Sequence, residues 1–245
     1  MSSQLMCRPE RSLPVAVLRV SGVLDDLTRG ALAQAVARSL SAQPESLLID
    51  VATLDVPDAA SLTMLEDLVC RPAQWPPVPI VLCGAGPDMT RALAGWPARD
   101  AVTTALSCDD ALARARDEPE PRRVRVRLRP VPDACRQVRQ LVTQTCTGWQ
   151  HREVASTAAL VATELVANVV RHAHTTMDFT LGLRDGLVCL TVRDGSRLLP
   201  RPKDPGVAEA GGRGLHLVRE LTEAWGVLPV PDGKVVWTQL AASTP

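Results

Sequence analysis

Short apolar runs punctuate the first part of the chain. LPVAVLRV (13–20), SLLID (46–50) and PIVLCG (79–84) are each bounded by polar or turn residues, the pattern of β-strands. Two of them are continuously apolar, as strands buried on both faces are. Between them, Leu32, Val36 and Leu40 recur every four residues after Thr28, which predicts a helix capped by Thr28. Leu62, Leu65 and Val69 predict a second helix over 61–69. Strands alternating with helices imply an α/β domain with a covered sheet.

The pattern changes after DEPEP (117–121), a charged, proline-bearing stretch without an apolar anchor that reads as a linker. It divides the chain into a domain over 1–117, a linker over 118–122 and a domain over 123–245. VRVRLR (124–129) alternates strictly and predicts a strand with Arg125, Arg127 and Arg129 outward. Two helices follow, from Asp133 to about Thr147 and from about Arg152 to His174. MDFTLGL (177–183) and LVCLTVRD (187–194) flank Arg184, Asp185 and Gly186 as a hairpin. Leu217, Val218, Leu221 and Trp225 mark another amphipathic helix, and KVVWTQL (234–240) a last strand. Grouped helices and antiparallel strands imply an α+β two-layer sandwich.

Composition narrows the classes. The 245 residues are 46% hydrophobic and 22% charged, as in globular proteins, and no apolar run approaches the ~20 residues of a membrane span. Pro9, Glu10 and Arg11 break the N-terminal stretch, so it does not read as a secretory signal, and a cytoplasmic location is expected. Seven cysteines, odd in number and without a CxxC pair, argue for reduced thiols rather than disulfides or zinc. Residues 1–118 carry ten Arg/Lys against fifteen Asp/Glu, and the remainder seventeen against twelve. That asymmetry favours an anionic ligand for the second half but is too small for a nucleic-acid protein. The arginines of VRVRLR fit a guarded edge strand better than a nucleic-acid surface, since one Phe and no Tyr leave no aromatic interleaving.

Three stretches carry candidate chemistry. In ATELVANVVRHAHT (162–175), Glu164, Asn168 and His172 lie four residues apart on one helix face. That face looks either at water or into a site, where Asn168 could join the oxygen ligands of Mg²⁺, Glu164 deprotonate a hydroxyl and Arg171 touch phosphate. Asp194 ends a strand before Gly195 and Ser196; it is either a turn former or an acceptor for an exocyclic amine such as adenine N6. GGRGLHLV (211–218) is either a flexible loop before a helix or a phosphate cradle of Gly211, Gly212 and Gly214 beside Arg213. The proline-rich stretch between Asp194 and Gly212 has the length of a lid.

Taken in this order, the features resemble the asparagine box and the two glycine boxes of the Bergerat-type (GHKL) ATPases, which include histidine kinases and gyrase. TELVANVVRHA, VRDGSRLLPRP, GGRGLHLVRELTEAWGV and GKVVW are most similar to the bacterial anti-sigma factor serine/threonine kinases, from about residue 130 to 240. The resemblance implies ATP and Mg²⁺ as ligands, with Asn168 on the metal and Glu164 as catalytic base. It places Asp194 and Gly195 at adenine, and Arg171, Gly212, Arg213, Gly214 and Leu215 around the phosphates. Two departures stand out. Asp194 is followed by Gly195, Ser196 and Arg197 where the family runs DxGxG, and Gly233, Lys234 and Val235 lack a threonine found in many relatives. His172 and His174 receive no role.

SGVLDDLT (21–28), SLLIDVATLDVPDAASLTMLEDL (46–68) and VLCG (81–84) resemble the STAS domain of anti-sigma factor antagonists. The loop that carries their phosphorylated serine reads Asp58, Ala59, Ala60, Ser61, Leu62 here, with Ala59 in the serine's place. Either the domain is a permanently unphosphorylated binder, or Ser61 is a displaced acceptor, or the fold serves only packing or dimerisation. The two resemblances together imply a STAS-like α/β domain followed by a Bergerat-type α+β sandwich. They imply a regulator that phosphorylates a STAS-type antagonist in a sigma-factor partner switch, with antagonists and a sigma factor as partners and a homodimeric state. The alternatives are a non-catalytic ATP-dependent switch and a nucleotide-free scaffold.

Overall fold

The computed structural model describes residues 4–11, 13–69, 78–96, 103–117, 122–199 and 214–242, which form two compact units, 1–120 and 121–245. The first holds β1 (Leu5–Arg11), β2 (Val15–Val23), α1 (Arg29–Ser41), β3 (Ser46–Asp55), α2 (Ala59–Val69), β4 (Ile80–Cys83), α3 (Pro87–Ala94), β5 (Thr103–Ala105) and α4 (Cys108–Asp117). Its sheet runs β1-β2-β3-β4-β5, with β1 antiparallel to β2 and the remaining neighbours parallel. The parallel strands are joined through α1, α2 and α3, which gives the α/β class expected from alternation.

Both faces of this sheet are buried, as the continuous apolar runs predict. Val15, Val17 and Leu48 pack with Ala111 of α4 on one face, while Leu18, Ile49 and Leu82 on the other are 1% exposed or less. Thr28 departs from its expected role. Its hydroxyl makes no helix cap but donates to the Val23 carbonyl (2.9 Å) and accepts from the Asp25 amide (2.9 Å), closing the turn before α1.

The second unit holds β6 (Arg122–Leu128), α5 (Asp133–Gly148), α6 (Arg152–Asn168), β7 (Met177–Arg184), β8 (Leu187–Asp194), α7 (Gly214–Leu221), β9 (Ala224–Val230) and β10 (Gly233–Ala241). Its sheet is antiparallel throughout, in the order β6-β7-β8-β10-β9. Asp185 and Gly186, with φ of 48° and 73°, make the two-residue turn between β7 and β8 that a right-twisted hairpin needs. The helices cover one face. Ala134, Val138, Val142 and Cys146, every fourth residue of α5, are buried with Met177, Phe179, Leu181, Val188, Leu190 and Val192 of the sheet. This is the two-layer α+β sandwich.

Several expectations need correction. The helix read through Trp225 ends at Leu221, and Trp225 lies in β9. The helix read to His174 is α-helical only to Asn168; Val169–Ala173 form a π-turn. Together these stretches make a 22-residue helix whose most apolar 18-residue window has a mean hydropathy of 1.4, long and apolar enough by length and composition to cross a membrane, contrary to the expectation from apolar runs. Its apolar face, from Val154 to Val169, is instead consumed by α5 and the sheet in the core of the unit. Six cysteines among the described residues are free thiols, and Cys70 lies outside those residues.

Candidate nucleotide site

The C-terminal end of α6 carries Glu164 and Asn168 one turn apart, and both meet the first residue of α7. A Cβ on Gly214 would lie 2.6 Å from Glu164 Oε2 and 3.9 Å from Asn168 Oδ1, so any larger residue at this helix start would push the Glu164 carboxylate aside. Leu215 follows it, half-buried. Arg171 Nη2 stands 3.5 Å from Glu164 Oε2, and its Nε donates to the Ala167 carbonyl at 3.2 Å. His172 and His174 are exposed.

The π-turn after Asn168 is where the regular helix gives way, a distortion that recurs at functional sites. It ends at His174 in the left-handed region, whose N–H donates to the Val169 carbonyl at 2.8 Å. Thr175 Oγ1 then accepts the Gly195 N–H at 3.0 Å, which ties the helix exit to the loop that leaves β8. Neither the π-turn nor this latch is visible in the sequence.

Asp194 ends β8 and is 3% exposed. Its Oδ1 accepts from Lys234 Nζ at 2.8 Å and from the Ser196 N–H at 2.7 Å. Its Oδ2 is buried and has no partner among the described residues. Lys234 lies directly across the β8–β10 ladder, 6% exposed, and also donates to the Ser196 carbonyl at 3.1 Å. Gly233, at φ 153°, lets β10 begin against the Asp194 carbonyl, where a Cβ would collide.

An orphaned, buried carboxylate oxygen costs free energy unless something donates to it. An exocyclic amine meets that need, so the donor set at Asp194 fits an adenine ring. For Mg²⁺ the fit is partial by design of the ion. Among the described residues no cluster of three or more His, Cys, Asp or Glu is present, but Mg²⁺ keeps several waters and takes one or two protein oxygens plus phosphates. Asn168 Oδ1 supplies one such oxygen, which leaves Glu164 free for the acceptor hydroxyl. Gly212 and Arg213 lie outside the described residues.

In the first unit, Asp58 Oδ1 accepts both the Ser61 N–H and the Ser61 hydroxyl at 2.8 Å, capping α2. The Ser61 amide, and next its hydroxyl, hold the Asp58 carboxyl below the usual range. Ser61 is 2% exposed, whereas Ala59 and Ala60 face solvent. The exposed position therefore lacks a hydroxyl, and the residue with the hydroxyl is buried.

Comparison with known proteins places residues 111–240 in a match to the histidine kinase-like ATPase domain. No curated protein matches the chain. Among solved structures, the chain is similar to an anti-sigma factor antagonist from Mycobacterium paratuberculosis, at 23% identity and a TM-score of 0.39, covering 46% of this chain and 96% of that one. It is also similar to the RsbU and RsbW domains of a Mycobacterium tuberculosis protein, at 17% identity and TM-score 0.38, covering 50% of this chain and 33% of that one. A third is the histidine kinase domain of a blue-light activated kinase from Erythrobacter litoralis, at 19% identity and TM-score 0.31, covering 43% and 61%.

Proposed function

The chain belongs to the histidine kinase-like ATPase domain family, and on that premise we propose that it binds Mg-ATP and phosphorylates a serine or threonine of a STAS-type anti-sigma factor antagonist. The observation that carries the nucleotide reading is the buried Asp194 Oδ2, which has no donor among the described residues. In this reading Oδ2 accepts from the adenine amine beside Gly195, and Asn168 Oδ1 holds the metal. The α7 start at Gly214 and Leu215 faces the phosphates and Arg171 adds charge beside them, while Gly212 and Arg213, outside the described residues, are assigned to the phosphates by their place in the sequence alone. Bound Mg-ATP supplies the phosphoryl group to be transferred. Glu164 takes the proton of the acceptor hydroxyl, and the nearby Asn168 fixes the metal on the same face.

The protein would act in the cytoplasm, as a homodimer, between antagonist and sigma factor. The first unit, a STAS-like domain over 1–117, would serve as a binder that phosphorylation cannot eject, because Ala59 has no hydroxyl and Ser61 is buried. A second reading, a switch that binds ATP without transferring phosphate, is favoured by Glu164 standing 3.5 Å from Arg171. Labelled γ-phosphate separates the two. The kinase reading expects label on at least one STAS protein with wild type, and none with Glu164→Ala although ATP still binds. ATP binding with no labelled protein in a panel that includes the first unit defeats the kinase reading and leaves the switch.

A further inference from the structure

We propose that Lys234 is a specificity residue that reads ring N1 of adenine, so that the Asp194–Lys234 pair recognises the base edge as one unit. The inference rests on the nucleotide reading above and extends it to Lys234, to which the sequence reading gave no role.

Lys234 enters the site from β10, opposite Asp194, and both side chains are more than nine-tenths buried. An ammonium has three N–H donors and no acceptor. Asp194 Oδ1 and the Ser196 carbonyl engage Lys234, and no further acceptor meets it among the described residues. One donor thus remains on Nζ, 2.8 Å from Oδ1, while the unpartnered acceptor Oδ2 belongs to the same carboxylate. The ion pair thus keeps one unused acceptor on Asp194 and one unused donor on Lys234, on groups joined through Oδ1.

Adenine carries the complementary sequence on adjacent atoms, an amine donor at C6 and an acceptor at N1. Guanine in the same orientation would set its O6 acceptor against Oδ2 and its N1–H donor against Nζ, so both contacts would be like-to-like. A site that leaves buried polar groups unpaired rejects a ligand far more strongly than one that merely loses apolar contact. The cation also cancels the charge of Asp194, so the base is stacked into a neutral site rather than against a bare carboxylate.

Calorimetric titration of the full chain with ATP, 1-deaza-ATP (N1 replaced by C–H), 7-deaza-ATP and GTP tests this. Wild type should bind 1-deaza-ATP about ten- to a hundredfold more weakly than ATP, GTP more weakly still, and 7-deaza-ATP as well as ATP. Lys234→Gln, which keeps an N–H donor, should retain part of the discrimination, and Lys234→Met should bind ATP and 1-deaza-ATP alike. Should Lys234→Met fail to fold, the ligand-side comparison on wild type decides alone. Equal affinity of wild type for ATP and 1-deaza-ATP, or equal losses for the two deaza analogues, overturns the role of Lys234 while leaving the nucleotide site standing. No binding of any adenine nucleotide overturns the site itself.

Discussion

Asp58 and Asp194 both accept from a nearby residue downstream in the chain, yet their surroundings give them opposite uses. Asp58 is exposed, and its Oδ1 is spent on the amide and hydroxyl of Ser61 three residues away, so it completes a helix start and asks for nothing more. Asp194 is buried; one oxygen is held by Lys234 and the Ser196 amide, and the other has no donor among the described residues. The difference lies in burial. An exposed acceptor can always turn to water, but a buried one must find its donor in the protein or in a ligand.

The contrast is broken most forcefully at Lys234. Lys234→Met strands a buried carboxylate and should cost about 3–5 kcal/mol in urea unfolding of the second unit, whereas the Asp194→Asn/Lys234→Met double variant should recover most of that loss. A single-variant cost near zero would mean that the Asp194 site is open to water, like that of Asp58. Next in size, Asp194→Asn should weaken ATP binding about tenfold or more, because a charged acceptor becomes a neutral one. Asp58→Asn should leave the titration curve unchanged.

A smaller effect belongs to Ser61→Ala, which removes one hydrogen bond to an exposed partner. Unfolding of the first unit should shift by at most about 1 kcal/mol. The same change should leave phosphate labelling unaltered, since the hydroxyl it removes is buried; loss of label would make Ser61 an acceptor after all.

The least effect is in the titration of Asp58 itself. Because hydrogen bonding to Ser61 lowers its pKa in the folded state, its contribution to stability is complete above the ordinary Asp value of ~3.9 and is lost as pH falls through the lower folded value. Carboxyl NMR should show an Asp58 midpoint below ~3.9 that moves up in Ser61→Ala. An ordinary midpoint in both would remove the cap.

Much of the fold was legible because local signals agreed with it. The Asp185–Gly186 turn, the four-residue apolar repeat of α1 and the continuous apolar strands β3 and β4 each correspond to an element in place. Where local and tertiary signals diverge, the reading fails. LMCRPER looks too polar and carries a proline, but it is an edge strand held by β2 alone, where those residues are tolerated. Trp225 continues a helical spacing, yet it packs against the core from β9.

The site divides in the same way. Glu164, Asn168 and Gly214 stand out by residue type and come together in space. The partner of Asp194 does not stand out, since Lys234 lies forty residues on and only the β8–β10 register sets it opposite. Likewise, nothing local distinguishes Ser61 as buried from Ala59 as exposed.

The central claim is that α6, the end of β8 and the start of α7 form one Mg-nucleotide site. Calorimetric titration of ATP into the full chain, with and without Mg²⁺, tests it on wild type and Asn168→Ala. The account predicts one ATP per chain for wild type, tightened by Mg²⁺, and loss of the Mg²⁺ dependence in Asn168→Ala. Absence of binding to wild type, or an identical Mg²⁺ response in the variant, would contradict it.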